Sequence, residues 1–544
     1  MKKHRALIFL LACLLSAGCS GARKTPDAPA QAEEFYRRGR QEFLAAKYAD
    51  AERAFAKAVE LAPSQSQYYN DLGLALVQLD RQERAVFNFN RALELEPDNS
   101  VYLMNRAVAR QRMGRNEEAL ADFDRAIKLK PQNMLAVFKR GMFYYVSGDY
   151  AAAFSDFDRI ISFKGRSSAA EFYWRAMAQA KLGKTDGAYN DLDVALALDP
   201  QFTAAYLARG AVSCERGLYR EALTDYRAAG ELEPNNPEVY KGLGRSYQGL
   251  GRPSEALDNY RRALDFDSGQ PEVYAMQGEL YRAEKRFNES LAAYDRAVEL
   301  SSSDVRYLVG RGVTYNDCGQ YDKALEDFSS AIAVNGDSPL PYAARAMVRA
   351  RRSALYDAKE DIDAALKKGA RTAEVYAVSG AINTALKKYK NAVSDYANAA
   401  ELAPLKTEYR MALARAYEKL GKYNEAVEEY SRVISLQSTA FDAYMRRALA
   451  YMRLGNRAAS KKDLLKAEEL DKNSPEPAIG MACYCWYFSK DGDSAINYIR
   501  SAFKKGISDT RMLYDEDGFG HFLRRFTTRE DFRELVDKRG KRGT

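Results

Sequence analysis

Seven arginines in this chain are each followed, sixteen residues later, by an aspartate: Arg106 and Asp122, Arg140 and Asp156, Arg175 and Asp191, Arg209 and Asp225, Arg311 and Asp327, Arg345 and Asp361, Arg447 and Asp463. One such pair could grip an anion or support acid–base chemistry, because a guanidinium offers fixed charged donors and a carboxylate can exchange a proton. Seven at one spacing point elsewhere. Where the arginine is missing the aspartate is often missing too, as with Leu72 and Asn88, Leu243 and Asn259, Gln277 and Ala293; Arg38 with Ala54 and Ser379 with Asp395 are exceptions. Partners that come and go together read as ion pairs joining two helices, since a partly buried arginine needs a carboxylate. Their expected role is structural.

Nucleophilic and metal chemistry find less support. A serine or cysteine nucleophile wants a histidine base, and beyond the amino-terminal leader the one histidine is His521, next to Gly520. Zinc wants histidine and cysteine in paired spacing, and no CxxC pair occurs. The glycine-rich GLGRSYQGLG (242–251) would have to follow a strand to cradle phosphate. The net charge is +8, but Arg524 to Thr544 alone hold eight basic against four acidic residues, and DKRGKRGT is the one basic cluster. Nucleic-acid binding needs such residues on a stripe or face. The expectation is a non-enzyme with no cofactor, no metal, no small-molecule substrate and no nucleic-acid partner.

The elements that carry the pairs follow from a small residue that returns every 34 positions. It is Gly39, Gly73, Ala107 and Gly141, then after one extra residue Ala176, Gly210, Gly244, Gly278, Gly312, Ala346, Gly380, Ala414, Ala448 and Ala482. Twelve residues after each comes a second small residue (Ala51, Ala85, Ala119, Ala153, Ala188, Ala222, Ala256), and seven later a third. An aromatic such as Phe55, Phe123, Phe157, Tyr226 or Tyr260 lies between the last two, and Pro63, Pro97, Pro131, Pro200, Pro234 and Pro404 follow. Small side chains let helices approach, and proline cannot continue a helix, so each unit reads as helix, turn, helix.

This pattern, clearest in YYNDLGLALVQLDRQERAVFNFNRALELEPDN (68–99), resembles the tetratricopeptide repeat family. The resemblance implies an all-α fold, an α-solenoid (superhelix) of about fourteen 34-residue units over residues 32–507, with helices and a basic tail over 508–544 as the cap. Phe522, Phe526, Phe532 and Leu535 stand at near-helical spacing there, and an array needs a terminal unit with a polar outer face. Ser268, Ser302, Gly336 and Ser438 replace the proline, and the last copy has one extra residue near Lys490 to Asp493; looser joints are expected there. The register puts Cys214 and Cys318 three repeats apart, and Cys483 and Cys485 on one helix, so all four read as packed thiols rather than disulfides. The family's clamp for acidic peptide tails does not match the first three repeats, which have Tyr36, Arg40, Asp71, Val101 and Asn105 at its positions.

The amino terminus, MKKHR and then ALIFLLACLLSA, is a positive segment followed by an apolar run too short to span a bilayer. LLSAGCS resembles the lipobox of bacterial lipoproteins, although Ser16 takes the place of the usual leucine. The resemblance implies a signal peptide over 1–18 and lipid on Cys19, with plain secretory cleavage as the alternative. Residues 19–31 read as lipidated cysteine and flexible tether. Ser20 after the cysteine implies the outer membrane, facing the periplasm.

Function then rests on surfaces. MLAVFKRGMFYYVSG (134–148) carries charge only at Lys139 and Arg140, whereas a surface helix normally has a polar face. At 100° per residue Val137, Arg140, Gly141 and Tyr144 face the second helix, and Leu135, Phe138, Met142 and Tyr145 lie opposite, on the arc that the family turns to its concave groove. Met104, Val108, Tyr173, Met177, Leu207 and Ala211 occupy corresponding positions, predicting an apolar peptide-binding groove over repeats three to six. The alternative is that these side chains pack between adjacent first helices. The expected function is a membrane-anchored scaffold lipoprotein that binds proteins or peptides in assembly of a cell-envelope machine (secretion, pilus or export). The alternative is a non-catalytic adaptor or regulatory subunit of an envelope enzyme such as a cell-wall hydrolase.

Overall fold

The computed structural model describes residues 28–164, 167–507, 513, 518–523 and 526–540. It is all α, built from helices in consecutive pairs, with no strand among the described residues. Two compact units meet in sequence at Phe266 and Asp267. Seven pairs make the first unit: Ala28–Leu44 with Tyr48–Leu61, Ser66–Gln78 with Gln82–Leu95, Ser100–Arg112 with Asn116–Leu129, Met134–Val146 with Tyr150–Lys164, Ala169–Lys181 with Thr185–Leu198, Thr203–Glu215 with Tyr219–Leu232, and Pro237–Gly249 with Pro253–Phe266. The second unit continues the scheme from Pro271–Ala283 to Gly492–Lys504 and adds Gly520–Leu523 and Glu530–Gly540. The first helix, Ala28–Leu44, reaches four residues into the segment read as a tether. Residues 1–18 and Cys19 lie outside the described residues.

The recurring small residue sets how closely the two helices of a pair approach. A Cβ on Gly73 would stand 2.6 Å from the Phe89 ring, and one on Gly244 2.4 Å from Tyr260. The ring of the second helix therefore lies directly on the first helix's backbone. Ala153, Phe157 and Ile160 in the fourth pair are all fully buried, and burying such a phenylalanine contributes roughly 2 to 3 kcal/mol. Between the helices, Gly148 takes φ +85°, a left-handed turn conformation that glycine enters without a Cβ clash. Asn99 and Asn133 cap the first helices that follow them by accepting from backbone N–H groups of the first turn.

Two departures from the repeat resolve in physical terms. Where serine or glycine replaces the proline, the second helices still stop at corresponding points, Phe266, Leu300, Val334 and Leu436, and the residue after Leu300, Val334 and Leu436 donates its N–H to the carbonyl four residues back. Proline is thus dispensable for ending the helix. The extra residue of the last repeat is absorbed by a π-helical turn, Cys485–Ser489, followed by Lys490 at φ 54°. That turn presents Trp486 and Phe488 to the core formed with Ile496, Ile499, Phe503, Phe522, Phe526 and Phe532, so the carboxy-terminal helices do cover the last pair. Cys214, Cys318, Cys483 and Cys485 are free thiols, and buried Cys483 donates to the Phe519 carbonyl at 3.2 Å. No helix among the described residues is long and apolar enough to cross a membrane.

Candidate functional site

The seven arginines sit on first helices and the seven aspartates on second helices, one helical pair at a time. Arg140 shows the arrangement: Nε and Nη2 donate to Asp156 Oδ2 and Oδ1 at 2.8 and 2.7 Å. The same two-pronged grip joins Arg106 to Asp122, Arg175 to Asp191, Arg209 to Asp225, Arg311 to Asp327, Arg345 to Asp361 and Arg447 to Asp463. Every one of these aspartates is buried. The hydrogen bond it donates to Asp156 holds the Arg140 guanidinium above its ordinary range against the opposing effect of burial. At Asp225 burial wins, and the carboxyl is pushed up despite Arg209.

A third bond was not legible from the sixteen-residue spacing. Arg140 Nη1 donates to Asp124 of the preceding pair at 2.7 Å, and Arg175, Arg209 and Arg311 reach Asp158, Asp193 and Asp295 in the same way. Arg106 uses Asn90, while Arg345 and Arg447 use Ser329 and Ser431. Each guanidinium thus ties its own pair together and staples that pair to the one before. With the fork committed to one carboxylate and the far edge to the next repeat, the arrangement is suited to holding helices, not to seizing a ligand. Arg410 plays the part in the repeat around Ala414, reaching Glu429 at 3.0 Å from one turn earlier. Its signal was the acidic residue at the aspartate position without an arginine sixteen residues before it. Asp395, which lacks an arginine, accepts from Ser379 and Asn383, both at 2.7 Å.

The apolar first-helix face is partly covered. Met104 is buried; Val108, Phe138, Met142, Tyr145, Tyr173, Met177, Leu207 and Ala211 are half-buried; Leu135 remains 54% exposed. Phe138 meets the second helix after all, its ring edge-on to Phe157 at 5.6 Å. Tyr145 is edge-on to Tyr150 and to Trp174 of the next repeat, both at 5.4 Å, and Tyr173 contacts Phe202 at 5.0 Å. Burial raises the Tyr145 and Tyr173 hydroxyls above their ordinary range. Large side chains on adjacent first helices pack on one another, leaving the open apolar surface at the helix ends: Val101 and Leu135 at the starts, Val146 (72% exposed) at a finish. The sequence places Val101 at a clamp position and gives no sign that Val146 is open, because helical phase alone does not report how far a neighbouring helix reaches.

Family models described as "TPR repeat" match residues 212–251 and 414–455, and models described as "Tetratricopeptide repeat" match 104–170, 241–305 and 275–339, and 66–99 and 441–474. Together they span more than half of the chain. Among solved structures, yeast Tom70 is 17% identical over 81% of this chain and 99% of its own, with a TM-score of 0.42. A tetratricopeptide repeat protein from Parabacteroides merdae is 21% identical over 45% and 97%, with a TM-score of 0.39. Pseudomonas aeruginosa pilF is 21% identical over 38% and 95%, with a TM-score of 0.34. No curated protein matches the sequence.

Proposed function

We propose that this chain, a member of the tetratricopeptide repeat family, is a scaffold that binds protein or peptide partners along the first-helix faces of repeats three to six, and that it does so from a lipid anchor on Cys19 in the cell envelope. A repeat array of this kind is suited to protein–protein interaction, since stacked units offer a long continuous surface. The observation that carries the groove reading is the apolar face of Met134–Val146, where Leu135 and Val146 stand open beside the half-buried Phe138, Met142 and Tyr145. Exposed apolar side chains beside aromatic and methionine neighbours suit the apolar face of a partner helix or an extended apolar peptide. The corresponding face of Pro237–Gly249 bears Glu238, Lys241, Arg245 and Gln248, so apolar binding should fade there.

The envelope address rests on the short apolar leader and the lipobox-like LLSAGCS, and assembly of a secretion, pilus or export machine is the role proposed for a scaffold at that address. Site-specific photo-crosslinking in the intact cell tests the groove. A crosslinker at Leu135 or Val146 should trap one discrete partner and the same group at Glu238 should not; equal yields at all three sites refute the groove. Fatty-acid labelling tests the anchor: label that persists in Cys19→Ala removes it.

A further inference from the structure

Each helical pair turns back on itself where its first helix ends. In the second unit four successive turns, RRSALY (351–356), ALKKYK (385–390), KLGKYN (419–424) and RLGNRA (453–458), hold nine bases and no acid. The matching turn of the preceding pair, DCGQYD (317–322), has two acids and no base, so the charge is local to repeats ten to thirteen. The turns stand 34 residues apart in sequence; packing makes them one edge. Arg351 donates to Asn316 Oδ1 at 3.3 Å and Arg352 pairs with Asp322, each reaching the end of the preceding pair. Lys419, Tyr423 and Arg453 line one cavity at the next two turns. Packed helices lie about 10 Å apart, close to the Debye length of about 8 Å in physiological salt, so the fields of neighbouring turns overlap.

The middle of this edge is the least neutralised. Arg352 and Lys422 are paired with Asp322 and Glu425, and Arg457 donates to the Tyr484 hydroxyl at 2.9 Å. Lys387, Lys388 and Lys390 are exposed and have no ion pair among the described residues. Lys387 also takes φ 58°, the left-handed conformation that Gly421 and Gly455 supply at the same point of the next two turns. A side chain there strains the backbone, so the turn itself gains nothing from a lysine. Apolar groups stand among the bases: Tyr356 is 76% exposed and Leu454 39%, with Tyr389 and Tyr423 half-buried.

We propose that this edge of the second unit lies on an anionic phospholipid surface, with Lys387, Lys388 and Lys390 against the headgroup phosphates and Tyr356 and Leu454 where headgroups meet acyl chains. Each lysine near an anionic leaflet strengthens attachment by roughly fivefold, and tyrosine suits that level because one end is apolar and the other wet. No helix among the described residues is long and apolar enough to cross a bilayer, and the contact needs none. A single lipid chain holds a protein to a membrane only weakly, and a basic patch is the second signal that makes attachment firm. The choice of a membrane as the polyanion rests on the envelope address proposed from LLSAGCS. A single-stranded nucleic acid is held in a groove that tracks its backbone, whereas these bases stand at the ends of helical pairs.

The test is flotation of the full chain with vesicles of phosphatidylglycerol and phosphatidylcholine in about equal parts, against vesicles of phosphatidylcholine alone. Binding to the neutral vesicles reports a lipid anchor, and the added binding to the anionic ones reports the edge, so the two readings fail separately. The added binding should fall steeply between about 0.1 M and about 0.5 M salt. Lys387→Gly with Lys388→Gln and Lys390→Gln should weaken it at least about tenfold, with the thermal melt unchanged or raised, since glycine relieves the left-handed position. Lys128→Gln with Lys130→Gln and Lys139→Gln, at exposed lysines of the first unit, removes the same charge and should leave it within about twofold. No added binding to anionic vesicles, equal losses in the two triple variants, or full binding by the folded edge variant overturns the proposal. A deoxythymidine oligonucleotide that binds the chain more tightly than the vesicles do, and loses that affinity in the edge variant, assigns the edge to a nucleic acid and overturns it too.

Discussion

Replacing Arg140 by leucine should destabilise the fourth helical pair by about 3 kcal/mol, and most of that should return when Asp156 is also replaced by asparagine. The figure follows from burial. The Asp156 side chain is 5% exposed and that of Arg140 18%, so either charge alone is left in a poorly hydrated place, where an uncompensated ion costs roughly 3 to 5 kcal/mol. The residual exposure of Arg140 favours the low end. The chain supplies its own template for the double replacement: the second repeat has Leu72 and Asn88, and Asn88 Nδ2 satisfies itself on the Arg84 carbonyl at 2.8 Å. The third partner should matter little alone, because Asp124 is 54% exposed and such an ion pair contributes about 0 to 1 kcal/mol. Yet Asp124 is where the fourth pair is stapled to the third. Because an array unfolds repeat by repeat, the assay is hydrogen exchange resolved over Asn116–Leu129, Met134–Val146 and Tyr150–Lys164, supported by urea melts. Arg140→Leu should speed exchange in all three helices, Asp156→Asn mainly in the last two, and Asp124→Ala slightly in the first two. Additive costs, with no coupling of about 2 kcal/mol between Arg140 and Asp156, would refute the reasoning.

The other predictions are simpler to read. Burial holds Glu418 higher in the folded chain, at about 7, than its ordinary 4.5, so the native state binds the extra proton; its stability contribution is full below the ordinary value and lost as pH rises through the folded one. Glu418→Gln should therefore gain stability over the parent between pH 5 and pH 8, by up to about 3 kcal/mol in local unfolding; a gain that shrinks over that range counts against the burial argument. Gly244→Ala should lower stability by about 1 to 2 kcal/mol, because its Cβ would meet the fully buried Tyr260 ring at 2.4 Å and overpacking outweighs the better helix propensity; an unchanged melt would show that the ring can yield. Phe138→Glu should destabilise its repeat by roughly 3 kcal/mol through the lost contact with Phe157, whereas Leu135→Glu should leave the melt unchanged and weaken partner crosslinking from Val146.

Local pattern determined the elements. A small residue every 34 positions, a second twelve later and an aromatic before the third require two helices that touch closely, because only glycine lets the Phe89 or Tyr260 ring lie as it does on the facing backbone. The arginine–aspartate pairs were legible for the same reason: both partners belong to one repeat, at a fixed distance in sequence. What lies between repeats was not. The staples from Arg140 to Asp124 and from Arg311 to Asp295 depend on how one pair stacks on the next, which no spacing within a repeat encodes. The covering of Tyr145 depends on the reach of Trp174 from the next repeat. The basic edge of repeats ten to thirteen joins turns 34 residues apart in sequence, and stacking alone makes them one surface. A periodic sequence states what each helix presents; only packing against the neighbour decides which of those side chains water can still reach.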